Sequence, residues 1–175
     1  MNVPAAIAAA GLGVSPRAQT GDVTAMLWDL AEQAGVTTFD AVGTLDQRKH
    51  LPAFVDGVQN FGLFAIEGFA ATVLDDILVP NPSLRVASHT GTASVAEAAA
   101  ICAALRCAEA VTDTAYALGE SCVDEMCCDS PWRKALIPVT AALPSEVRSC
   151  IHVRVPKTTG NLVTGAVAVA TWRHP

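Results

Sequence analysis

Residues 3–35 read VPAAIAAAGLGVSPRAQTGDVTAMLWDLAEQAG, and the order of elements within them decides the fold class. Residues 3–10 are continuously apolar and alternate poorly, the pattern of a strand covered on both faces. Gly11 to Gly21 reads as a turn. Asp22 can then cap a helix in which Val23, Met26, Leu27, Leu30, Ala31 and Ala34 fall on one face, with Gly35 as its stop. Strand, loop and helix in that order open an α/β domain.

Working outward, Ala41–Leu45 predicts a second strand that ends at Asp46-Gln-Arg-Lys-His50, and Pro52 suits the first turn of a helix over 51–60. Gly62–Ile66 reads as a third strand and Phe69–Leu78 as a third helix. Pro80-Asn-Pro82 breaks the chain, Ser83 starts a short helix up to His89, and a further helix runs from Ser94 to about Arg106. In residues 107–150, Ala108–Leu118 can extend the helix and Cys122–Pro131 reads as loop. Ala135–Leu143 has Pro138 inside it, which weakens a strand assignment. Ile151–Val155, the turn Lys157–Asn161 and the valine-rich Leu162–Trp172 make a C-terminal hairpin. One domain is expected over residues 1–175.

Composition narrows the function. Hydrophobic residues are 51% and charged residues 16% of the 175, so the chain has the material for a single buried core. The net charge of −6 argues against a nucleic-acid partner, because phosphate binding needs clustered cations. The N-terminus is apolar without a basic leader region, and no stretch is long and apolar enough to span a bilayer, so a cytoplasmic protein is expected. Cys102, Cys107, Cys122, Cys127, Cys128 and Cys150 are read as free thiols, since their spacing makes no zinc site; neither metal nor cofactor is expected.

Candidate chemistry lies in the loops. Gly11-Leu-Gly13 is either a tight turn or a ligand loop whose backbone N–H groups are open, with Arg17 supplying charge. A dinucleotide reading is weak, because the third glycine position is Pro16. Residues 89–100, HTGTASVAEAAA, hold a capping box in which Ser94 takes the N–H of Glu97 and the Glu97 carboxylate reaches back. The box leaves Thr90, Gly91 and Thr92 unexplained, and a hydroxyl-rich loop at a helix start can also bind an anionic group. Asp46 and Arg48 follow one strand, Arg17 another and Lys157 a third, so all can share one rim of a sheet.

These pieces together resemble the CobE family, which is also the C-terminal domain of the cobalamin-biosynthesis protein CbiG. The family's Gly-x-Gly stands at Gly11-Leu-Gly13 and its Asp-x-Lys at Asp46-Gln-Arg48. Its Pro-x-Pro-Ser stands at Pro80–Ser83, and Gly-Thr-x-Ser-Val-Ala-Glu-Ala-Ala-Ala is intact at Gly91–Ala100. Val153–Asn161 fits its closing Pro-Lys turn. Of the family's usual cysteine and paired arginines, only Arg17 is kept; Arg48 replaces a lysine, and residues 107–150 look like a divergent insertion.

The resemblance implies a three-layer α/β/α fold with a mixed sheet. It also implies a role in cobalamin (vitamin B12) biosynthesis, in which a precorrin intermediate of the corrin ring is bound, transferred or processed. In CbiG-like proteins the whole chain opens a lactone of a cobalt-precorrin, but the N-terminal domain of such proteins has no counterpart here, so whether this chain is an enzyme stays open. The alternative is a non-catalytic partner or scaffold for another corrin-pathway enzyme. A precorrin is an apolar ring fringed with carboxylates, which calls for an apolar floor with scattered cations and N–H donors. The residues implied to bind it are Gly11, Gly13, Arg17, Asp46, Arg48, Gly91, Thr92, Ser94, Glu97 and Lys157. Asp46, His89 and Glu97 are the acid–base candidates.

Overall fold

The computed structural model describes residues 5–77, 79, 94–117 and 151–172. Strand β1 (Ala5–Val14) leads through helix α1 (Thr20–Ala34) to β2 (Ala41–Leu45), then through α2 (Pro52–Phe61) to β3 (Ile66–Phe69) and the short α3 (Ala71–Asp75). Helix α4 (Val95–Ala117) follows, and β4 (Ile151–Thr159) and β5 (Val163–Trp172) close the chain as a hairpin.

The sheet order is β3-β2-β1-β5-β4. Strands β1, β2 and β3 are parallel, joined by helical crossovers, while β5 is antiparallel to both β1 and β4. The sheet is therefore mixed, as expected. Helices α1 and α2 bury Val23, Leu27, Leu30, Phe54 and Val58 against one face, together with Leu12, Val42 and Val167 of the strands. Helix α4 covers the other face, so the fold is three-layered α/β/α.

The two faces are built from different residues. Toward α1 and α2 the sheet offers mainly Leu and Val; toward α4 it offers Ala9, Ala41, Ala166, Ala168 and Ala170, met by Ala96, Ala99, Ala100 and Ala103 of the helix. Backbones meet there. A Cβ on Gly11 would lie 2.0 Å from the Ala96 carbonyl oxygen and 2.2 Å from the Ala100 nitrogen, and one on Gly43 would lie 2.4 Å from the Ala99 carbonyl oxygen.

Several sequence expectations shift. Gly11-Leu-Gly13 lies inside β1 rather than in a turn, because the glycines admit α4 instead of bending the chain; the turn comes at Pro16 and Arg17. Helix α1 starts earlier than expected, with Gln19 at its N-cap, and Asp22 sits three residues inside and takes the Gln19 N–H at 2.8 Å. Strand β3 begins at Ile66, just where its expected span ended, since the αL conformation of Gly62 ends α2 and Leu63 N–H returns to the Val58 carbonyl. Helix α4 continues past Arg106 to Ala117. Lys157 belongs to β4, not to a turn: an edge strand tolerates Pro156 where its register shifts. The expected elements at 83–89 and 135–143 lie outside the described residues.

Candidate functional site

The C-terminal ends of β1, β2, β3 and β4 share one rim, because β4 runs parallel to β1 across the intervening antiparallel β5. Helix α4 starts at this rim: a Cβ on Gly13 would lie 3.7 Å from the Val95 Cβ, and Gly11 faces Ala96 and Ala100. The β1 exit is tied to the hairpin tip by Ser15 N–H donating to the Leu162 carbonyl at 2.9 Å. Asn161 in turn donates from Nδ2 to Asp22 at the start of α1, at 3.0 Å.

Three side chains near the α4 start are buried and polar. Thr44 is accounted for by donating its hydroxyl to the Leu12 carbonyl at 2.8 Å. Glu97 is fully buried, and its Oε1 accepts the backbone N–H of Lys157 at 3.0 Å. Ser94 is 2% exposed and its Oγ has no hydrogen-bond partner among the described residues. The serine half of the expected capping box is therefore not made, and the glutamate instead reaches across to β4.

That cross-strand bond has a structural cause. The β4–β5 register shifts between Val155 and Thr158, and Pro156 offers no N–H. Lys157 N–H is turned toward the helix, and only a buried acceptor there avoids an unpaired donor. Bulges of this kind re-aim side chains at sheet rims. Glu97 thus fixes the backbone from which the Lys157 ammonium projects.

The cations sit along the rim. Arg17 is exposed on the turn after β1, and Arg48 and Lys157 are half-buried. Among the described residues, no carboxylate pairs with any of the three. Asp46 pairs instead with Lys49 at 2.7 Å, and that ammonium holds its carboxyl below the usual carboxylate range, so Asp46 is ionised at neutral pH. The pair lies over β3, where a Cβ on Gly68 would meet both side chains. Gly11, Gly13, Ser94, Glu97 and Lys157 are thus brought together around the α4 start, whereas Arg17, Asp46 and Arg48 stand along the same rim at the exits of β1 and β2. His89, Gly91 and Thr92 lie outside the described residues.

One participant escaped the sequence reading. Thr164 of β5 donates its hydroxyl to the Gly13 carbonyl at 3.4 Å, and no local pattern marks it. The Asp46–Lys49 pair was legible from its spacing of three residues in a turn. Among the described residues, no three His, Cys, Asp or Glu side chains stand close enough to hold a metal ion. No helix among them is long and apolar enough to cross a membrane.

Comparison with known proteins fits this geometry. The sequence profile of the family described as "Cobalamin synthesis G C-terminus" matches residues 8–123, from β1 through α4. The chain belongs to this family. The family match places it among proteins of cobalamin synthesis and carries the CobE/CbiG resemblance on more than half of the chain. In fold it is similar to the crystal structure of CobE, a protein from the cobalamin biosynthetic pathway, with a TM-score of 0.65 at 20% identity over 97% of this chain and 98% of that one. It is also similar to a cobalamin biosynthesis protein, chiG, from Agrobacterium tumefaciens str. C58. There the TM-score is 0.52 at 19% identity over 93% of this chain and 97% of that one. No curated protein sequence is matched.

Proposed function

We propose that this member of the cobalamin-synthesis family binds a precorrin intermediate at the rim where β1, β2 and β4 end, and holds it for transfer or processing. The observation that carries the reading is the Ser94 hydroxyl, buried and without a partner among the described residues at the start of a long helix, one turn from the Glu97 that fixes the Lys157 backbone. A buried hydroxyl without a partner costs about 1–3 kcal/mol, which a ligand polar group can restore. Arg17, Arg48 and Lys157 supply cations that no carboxylate among the described residues neutralises, matching a ring edged with acetates and propionates. Glu97 anchors the backbone of the site and is itself enclosed, a binding-scaffold role in place of acid–base work.

Titration of the purified chain with precorrin intermediates, followed by visible absorbance, tests the reading. Saturable spectral change is expected, weakened about tenfold by Arg48→Ala or Lys157→Ala. An unchanged spectrum with every intermediate would reject it.

A further inference from the structure

We propose a second site, an arginine-docking groove at the C-terminal end of α1, away from the rim described above. The groove is open to solvent, has a volume of about 620 Å³ and is lined by Trp28, Asp29, Ala31, Glu32, Val36 and Thr37. Trp28 is 54% exposed, although its ring packs edge-on against Phe61 at 4.6 Å and is thereby held in place. A fixed, half-open indole beside carboxylates is a receptor for a planar cation.

The charge pattern points the same way. A helix C-terminus carries partial negative charge and is stabilised by Lys, Arg or His in its last turn. Here the last turn has no basic residue, Glu32 adds negative charge to it, and Asp29 stands just before it. Asp29 accepts only the neutral Gln33 amide, at 2.9 Å, and neither carboxylate pairs with a cation among the described residues. An arrangement unfavourable for the isolated helix becomes favourable once an outside cation arrives.

The occupant is an arginine side chain presented by a partner protein. Guanidinium matches both features at once, stacking on the indole while bonding a carboxylate through its fork. The groove's volume, about 620 Å³, also exceeds what one small cation would fill. Trp and Arg are the residues that most often anchor protein interfaces. Because α1 runs back from the candidate site, a partner seated at its C-terminal end leaves the ligand rim open.

The test uses the whole chain, labelled with ¹⁵N. Two probes are titrated: an alanine-based helical peptide bearing two arginines one turn apart, and the same peptide with citrulline in their place. Free arginine amide is a third. The Trp28 indole N–H, assigned from its absence in Trp28→Phe, and the amides of Val36 and Thr37 should shift saturably with the arginine peptide. Binding should fall about tenfold in Asp29→Asn/Glu32→Gln. That variant should melt at the same or a higher temperature, because it removes charge that opposes the helix dipole.

Equal shifts with the citrulline peptide, or unchanged binding by the charge-neutral variant, would overturn the proposal. Free arginine amide binding as tightly as the peptide would mean a small-molecule cation site instead. A dimer in sedimentation that Trp28→Ala dissociates would mean the groove is covered by a second copy; either result rejects the docking assignment.

Discussion

Replacing Gly11 by alanine is the sharpest test of how α4 sits on the sheet. The added Cβ would stand 2.0 Å from the Ala96 carbonyl oxygen, and ordinary contact needs 3.4 Å, so the helix must withdraw by about 1.4 Å there. Both obstructing groups, Ala96 O and Ala100 N, are backbone, so no rotamer change relieves the collision. Overpacking costs about 1–3 kcal/mol when side chains can give way, and a rigid helix belongs at the upper end. For a domain of this size, about 3 kcal/mol lowers Tm by about 6–12 °C. Gly21→Ala is the control: it lies exposed in the first turn of α1 with nothing within 4 Å of an added Cβ, so it should raise stability by about 0.5 kcal/mol. Differential scanning calorimetry on both variants reads opposite signs from one chemical change. If Gly11→Ala melts within a degree of the parent, the backbone contact described above is wrong, and a ligand-loop role for Gly11 regains its footing.

Three further outcomes follow from buried or shielded groups. Glu97→Ala leaves the Lys157 N–H without its acceptor and should cost about 2–3 kcal/mol in urea unfolding, whereas Glu97→Gln keeps an acceptor oxygen and should lose less; equal losses would refute the hydrogen-bond account. Desolvation first, and Arg154 second, hold the His152 imidazole below its ordinary 6.5, so below that pH the unfolded chain binds more protons than the folded one. Stability should therefore fall as pH drops through and below 6.5, and His152→Gln should flatten that slope in thermal melts. Burial pushes the Cys102 thiol up to about 12 and the Cys107 thiol to about 11, so neither should be alkylated in the native protein at pH 8, with peptide mass spectrometry distinguishing them from the remaining cysteines.

The parallel half of the fold was legible because its signals are local. The one-sided apolar spacing of α1, the proline opening α2 and the glycine ending α1 act within a few residues. The meaning of Gly11 was not legible: a glycine that turns the chain and one that admits another backbone look alike in sequence, and Ala96 is 85 residues away. Glu97 illustrates the same limit. Its spacing from Ser94 fits a local box, yet a proline-interrupted edge strand 60 residues further on offered a donor with nowhere else to go. The rim itself was foreseeable, since parallel strands must end together, but which of its residues touch depends on β4 lying beyond β5.

The direction of α4 has a further consequence. The helix starts at the candidate rim and runs back along the sheet, while β4 runs toward that rim, so Ala117 and Ile151 both face the opposite edge of the molecule. Whatever joins them is rooted there. The chain thus leaves and re-enters the described fold at the edge away from the Ser94–Glu97–Lys157 corner.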